Sequence, residues 1–100
     1  MAGFSLTKKA VTDLKDIGRY TEKKWGRDQR NRYLSMLDTC FQQLAKHPEI
    51  GKDSGYIREG YRKLVAGSHL IFYRQFSDGS VQVVRILHKS MDVESRLTET

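Results

Sequence analysis

Residues 69–88 read His69-Leu70-Ile71-Phe72-Tyr73-Arg74-Gln75-Phe76-Ser77-Asp78-Gly79-Ser80-Val81-Gln82-Val83-Val84-Arg85-Ile86-Leu87-His88. Two runs rich in β-branched and aromatic side chains flank Ser77-Asp78-Gly79. An Asp-Gly pair between such runs signals a hairpin, because the tight turns that match strand twist need positive φ at their centre. The stretch therefore predicts antiparallel strands over 69–76 and 81–88. Strict alternation would set Val84 and Ile86 on one face and Val81, Val83, Arg85 and Leu87 on the other. In the first strand Leu70 and Phe72 oppose Ile71 and Tyr73. Both faces of this hairpin are thus apolar, whereas a sheet with one wet face alternates apolar with polar.

Moving upstream, Tyr61 to Val65 reads as a third strand, ended by Ala66-Gly67-Ser68. Residues 50–60, with Gly51, Asp53, Ser54, Gly55 and Gly60, read as loop. Before Pro48 the apolar period becomes helical. Tyr33, Leu34, Leu37, Cys40, Phe41, Leu44 and Ala45 form one stripe, and Val11, Leu14, Ile17, Thr21 and Trp25 form another. Thr7 is placed to cap the first helix, Gly26 to end it and Asp28 to cap the second. So short a connection predicts an antiparallel helical hairpin. Phe4 and Leu6 suit a short leading strand. The tail, 89–100, carries isolated Met91, Val93 and Leu97 and reads as a short helix or a mobile end. The expected architecture is α+β: a single domain over 1–100, in the order β-α-α-β-β-β, with the helical hairpin packed on one face of a mostly antiparallel sheet. The second apolar face is then either a partner site or a face closed by the tail or by sheet curvature.

Composition narrows the function. The chain has 100 residues, with 18 Lys and Arg against 12 Asp and Glu, a net charge of +6. Such a balance suits an anionic partner: nucleic acid, a membrane surface or an acidic protein. The small size argues against a deep enclosed cofactor pocket, and no cofactor is expected. One cysteine cannot form an intrachain disulfide or a Cys-based zinc site, and His47, His69 and His88 lack metal-ligand spacing, so no metal is expected. There is no phosphate-cradling Gly-rich loop. Residues 1–6 carry no apolar run and no segment is long and apolar enough to span a bilayer, which predicts a soluble cytoplasmic protein without a membrane partner.

The cations fall into two groups. Arg19, Lys23, Lys24, Arg27, Arg30 and Arg32 surround Trp25 at the hairpin tip and outnumber Glu22 and Asp28. There Trp25 is either a core anchor or part of a contact surface. Arg58, Arg62, Lys63, Arg74, Arg85 and Lys89 spread over the strands with Glu59 and Asp78. Arginines there suit bidentate recognition of carboxylate or phosphate. RNA cleavage needs a base, an acid and phosphate-binding cations, roles that Glu59, Arg74, Arg85 and His88 have the chemistry to fill. Alternatively His88 bonds Asp92 and pins the tail. Cys40, on the buried stripe, reads as a small core residue.

Taken in order, Leu14-Lys15-Asp16-Ile17, Tyr20, Trp25-Gly26, Gln29 to Leu34, His47-Pro48-Glu49-Ile50-Gly51, Ile57-Arg58-Glu59-Gly60-Tyr61-Arg62, Gly67 to Tyr73, Val84 to His88 and Met91-Asp92 resemble the RelE/ParE toxin superfamily, in its ParE branch. The resemblance covers nearly the whole chain, and order and spacing carry it. It implies a toxin of a type II toxin–antitoxin system, neutralised by a ParD-like antitoxin in a hetero-oligomer. The implied target is DNA gyrase, which such toxins inhibit without being enzymes. It implies no sequence-specific nucleic-acid binding. In the RelE branch the same scaffold cleaves mRNA on the ribosome. The end of this chain lacks the tyrosine usual there, which favours ParE, while His88 keeps the ribonuclease alternative. On this reading Leu70, Phe72, Val81, Val83, Arg85 and Leu87 are the expected antitoxin contacts. Lys24, Trp25, Arg27, Arg30 and Met91 are the expected target contacts.

Overall fold

A computed structural model describes residues 3–55, 57–91 and 96–97. Its elements are β1 (Phe4–Leu6), α1 (Lys8–Trp25), α2 (Arg27–Lys46), a 3-10 turn (Pro48–Ile50), β2 (Lys52–Asp53), β3 (Arg62–Ala66), β4 (His69–Gln75) and β5 (Val81–His88). The sheet order is β1-β5-β4-β3-β2. Among the described strands only β1 runs parallel to its neighbour, pairing Phe4 to Leu6 with Val81 to Val83. The expected helical hairpin on a mostly antiparallel sheet is present. The two-residue β2 is an addition, formed inside the stretch that reads as loop.

Local chemistry explains most boundaries. The Thr7 hydroxyl accepts from the Ala10 amide, as its position predicts. Gly26, at φ 93°, ends α1 and also stands as the N-cap of α2, so Asp28 is not the cap but lies in the first turn. There its carboxylate still complements the positive end of the helix dipole. Gly67, at φ 59°, turns β3 into β4. A Cβ at this glycine would also crowd the Tyr33 hydroxyl, at 2.8 Å.

The helices cover one face of the sheet. Leu37, Phe41 and Leu44 from α2 and Ala10 and Ile17 from α1 pack on Ile71, Tyr73, Val81, Val83 and Ile86. Val81 and Val83 therefore lie under the helices, opposite to the face that alternation assigns them. The cause is a bulge: Phe72 pairs with Arg85 but Tyr73 with Val83, which leaves Val84 as an inserted residue. One extra residue reverses the facing of everything beyond it. Val84 and Leu87 accordingly share the second face with Phe72, and there Tyr61 and Leu97 bury them. The second face is thus closed at its centre by the loop before β3 and by a tail residue.

Two polar devices hold this arrangement. The Tyr73 ring is fully buried, and its hydroxyl accepts from the Gly51 amide at 2.8 Å and donates to the Pro48 carbonyl at 2.7 Å. It fastens the turn after α2 to the sheet. The second device is at the β5 edge, where β1 stops at Val83. The Thr7 hydroxyl donates to the Val84 carbonyl at 2.7 Å, and the Asp13 carboxylate accepts the Ile86 amide at 2.9 Å. The same carboxylate accepts two bonds from the Arg85 guanidinium, at 2.9 and 3.0 Å. Their side chains are only 10% and 12% exposed.

Two stability changes follow. Asp13→Ala removes the carboxylate that pairs with a buried guanidinium and accepts a strand amide, and should cost about 3–5 kcal/mol, read as a lower urea midpoint. Tyr73→Phe removes the hydroxyl from one buried and one part-buried backbone group and should cost about 1–3 kcal/mol. A loss under a few tenths of a kcal/mol in either variant would contradict the role assigned to that side chain.

Candidate functional site

The last two turns of α1 bring Tyr20, Lys24 and Trp25 together at the tip of the helical hairpin. Trp25 does not anchor the core: it and Tyr20 are each 58% exposed. The apolar stripe of α1 buries Ala10, Ile17, Gly18 and Thr21, and the helix outruns the sheet beyond them. Val11, at the other end of the predicted stripe, is likewise exposed. The Tyr20 and Trp25 rings meet edge to face with centroids 6.1 Å apart. Lys24 Nζ lies 5.6 Å from the Tyr20 ring centroid and 5.0 Å from that of Trp25, and donates to the Tyr20 hydroxyl at 3.2 Å.

Beside this cluster lies a cavity of about 390 Å³, and its floor is a pair of histidines. His69 opens β4 and His88 closes β5, and the ladder sets them opposite each other with ring centroids 5.2 Å apart. Tyr33, from α2, contacts His69 Nδ1 through its hydroxyl at 2.6 Å and accepts the Ser68 amide at 3.0 Å. His88 Nδ1 accepts the Ser90 amide at 3.1 Å, so its neutral ring carries the proton on Nε2. Asp92, the partner that sequence suggests for His88, lies outside the described residues. Burial, reinforced by His88 and opposed by Asp13, lowers the pKa of His69 below the ordinary imidazole value. A second cavity of about 410 Å³ shares Tyr20, His69 and His88 and extends to Ile17, Asp16 and Met91.

The predicted target contacts are only partly brought together. Lys24 and Trp25 line the first cavity and Met91 the second. Arg30 is turned elsewhere, into an ion pair with Glu22 at 2.8 Å, and Arg27 lies 4.0 Å from the same carboxylate. Of the predicted antitoxin contacts, Phe72, Val81, Val83 and Leu87 are fully or almost fully buried, Arg85 is held by Asp13, and Leu70 is half-buried. These six therefore do not form one open patch: the bulge divides them between two faces and the Leu97 and Tyr61 side chains cover the second.

The four residues of the ribonuclease alternative are also not brought together. Glu59 and Arg74 line a third cavity, with Arg58 and Gln82, and the Arg74 guanidinium donates to the Gln82 side chain at 2.9 Å. His88 stands six residues beyond Gln82 on β5, about 20 Å at a strand's rise. Arg85 is committed to Asp13. Cys40 is half-buried with its thiol pKa raised by burial, which keeps it protonated. Among the described residues no group of three His, Cys, Asp or Glu side chains is placed to hold a metal ion. Nor is any described helix long and apolar enough to cross a membrane.

Tyr20, His69 and Asp13 are the site and support residues that composition and periodicity do not single out, and Tyr33, on the apolar stripe of α2, is read from its period as a core residue only. One signal for His69 is present in the sequence, since it and His88 are equally far from the Asp78-Gly79 turn and so face each other in a hairpin. The exposure of Tyr20 and the reach of Tyr33 have no such signal.

The family model described as the ParE toxin of the type II toxin–antitoxin system parDE matches residues 4–93. The chain is 43% identical over 94 residues to Toxin ParE1 of Mycobacterium tuberculosis, covering 94% of this chain and 96% of that one. It is 36% identical over 97 residues to Toxin ParE1 of Caulobacter vibrioides, covering 97% and 99%. It is 32% identical over 99 residues to Toxin ParE of Escherichia coli, covering 99% and 96%. Among solved structures, a chain of the chromosomal ParDE toxin–antitoxin system of P. aeruginosa superposes with a TM-score of 0.76 at 19% identity, covering 88% of this chain and 96% of that one. A chain of the RelBE2 toxin–antitoxin complex of M. tuberculosis superposes with a TM-score of 0.63 at 21% identity, covering 90% and 93%. These two establish the shared fold, and the sequence matches establish kinship along almost the entire chain. The protein belongs to the ParE toxins of type II toxin–antitoxin systems.

Proposed function

We propose that this toxin inhibits DNA gyrase without catalysing a reaction of its own, and that a ParD-like antitoxin neutralises it within a hetero-oligomer. Action on gyrase would place it in the cytoplasm. The observation that carries this reading is the exposed Tyr20–Lys24–Trp25 cluster at the hairpin tip, an aromatic and cationic surface with no role in the core. Rings of this kind beside a fixed cation are typical anchors of protein interfaces. The non-catalytic reading is further supported by the separation of Glu59 and Arg74 from His88 and by the engagement of Arg85 with Asp13. The alternative, ribosome-dependent mRNA cleavage, would need His88 to work with other groups than those three.

The antitoxin surface is proposed on the second face of the sheet, at its β3 side. Val65 is 58% exposed and pairs directly with half-buried Leu70, and Lys63 precedes it by one alternation. An apolar pair flanked by a cation suits an amphipathic acidic segment, and the net charge of +6 would speed that encounter.

Gyrase, relaxed plasmid and ATP supply the test. The toxin should abolish supercoiling and accumulate cleaved DNA, and added antitoxin should restore supercoiling. Lys24→Glu combined with Trp25→Ala should raise the inhibitory concentration at least about tenfold, the scale of one good interface anchor. Normal supercoiling together with mRNA cut on ribosomes would overturn the gyrase reading. Val65→Glu with Leu70→Glu should weaken antitoxin binding about 100-fold by calorimetry. Unchanged affinity in a folded variant would remove that surface.

A further inference from the structure

We propose that the furrow running from Trp25 past the His69–His88 pair to Met91 binds a single-stranded polynucleotide. Four observations converge on it. The Trp25 and Tyr20 rings are each 58% exposed and meet edge to face, so the edge of one covers part of the other's face and the remaining planar apolar surface is open at the rim. Stacking of bases on such rings is the usual means of holding an unpaired strand, and it tolerates any sequence because every base has a π-face. Lys24 stands beside both rings, restrained by them and by the Tyr20 hydroxyl, where a phosphate bridging stacked bases would lie.

The lining chemistry points the same way. Among the described residues no carboxylate lines the Trp25 cavity, and the one that lines the Met91 cavity, Asp16, is paired with Arg19 at 3.6 Å. Its floor offers ring edges instead: Nδ1 of each histidine is taken up, by Tyr33 for His69 and by Ser90 for His88, and Nε2 of neither has a hydrogen-bond partner among the described residues. His88 therefore presents an Nε2–H donor to a base edge or a phosphate oxygen. The two cavities lie side by side, with Tyr20, His69 and His88 lining both, and have volumes of about 390 and 410 Å³. Each is of the size that accepts one small ligand, so together they suit a short run of nucleotides. An acidic peptide is the weaker fit, because Lys24 is the only permanent cation among the described residues of the Trp25 cavity and the other groups are mainly planar rings and hydroxyls.

This inference deepens the reading of the hairpin tip as the target-facing surface and rests on it for its setting, since an enzyme that holds cut DNA presents unpaired strand. The binding itself is testable without gyrase. Trp25 is the only tryptophan, so intrinsic fluorescence reports on the site directly. The full-length toxin is titrated with an oligothymidylate octamer, with an oligouridylate octamer and with an octaglutamate peptide. Binding to labelled oligonucleotide is followed in parallel by anisotropy. Saturable quenching by either oligonucleotide or both is expected, and the preferred one identifies DNA or RNA as the source. Tyr20→Ala and Trp25→Ala, both at exposed positions, should each weaken anisotropy-detected binding roughly 5- to 150-fold, the range of one lost base stack. Lys24→Ala should lower the salt dependence by about one phosphate contact. Absence of oligonucleotide binding, binding that survives both ring deletions, or quenching by octaglutamate alone would overturn the proposal. A toxin that inhibits gyrase but binds neither oligonucleotide would overturn this inference and leave the gyrase reading standing.

Discussion

The fold turns on what happens to the β5 edge after β1 ends. β1 is three residues long and supplies partners only as far as Val83, yet β5 continues to His88. An unpaired strand amide in a buried setting costs about as much as a lost hydrogen bond. The first turns of α1 meet that cost with side chains: Thr7 takes the Val84 carbonyl and Asp13 takes the Ile86 amide. Asp13 also neutralises Arg85 by a bidentate pair, so one carboxylate joins helix, strand edge and a buried cation. This linkage sets where α1 lies across the sheet. It thereby sets where the exposed last turn of α1 projects, next to the hairpin end that holds His69 and His88.

The bulge at Val84 is the second constraint. Without it Val81, Val83, Arg85 and Leu87 would share a face. With it, the two valines join the core under the helices and Leu87 joins Phe72 on the far side. A charged residue at the point of the bulge is tolerated because Asp13 is waiting at the edge. The apolar character of both sheet faces, visible in the sequence, is thus explained by two separate clusters. One lies under the helical hairpin. The other lies under Tyr61 and Leu97, with Val65 left exposed at its margin.

Charge is also redistributed by tertiary structure. The basic tip is not a uniform patch: Glu22 holds Arg30 and draws in Arg27 on one side of α1, while Lys24 faces the rings on the other. The strand cations separate likewise, with Arg85 internal and Arg74 turned toward Gln82 and Phe76. Net charge alone describes the attraction of the chain for anions, and not the place where an anion would bind.

The order of elements is legible in the sequence because it rests on local, periodic information. The 3.6-residue stripe of α2, the Thr7 cap, Gly26 at the hairpin tip, Pro48 after α2 and Asp78-Gly79 between β4 and β5 each act within a few residues. The kinship carried by Trp25-Gly26, Gly67 to Tyr73 and Val84 to His88 is legible for the same reason. The facing of Val81, Val83 and Leu87 is not, because one inserted residue reverses it and nothing in the local sequence marks the insertion. The partnership of Asp13 with Arg85 spans 72 positions, and the Tyr33–His69 contact spans 36. Such pairs depend on the angle at which the helices cross the sheet. Local residue chemistry therefore settles which segments become helix, strand and turn. Packing between those segments settles which apolar residues are covered and which cations are spent on internal partners. It also leaves Trp25, a core candidate by periodicity, standing in solvent, because its helix extends beyond the sheet beneath it.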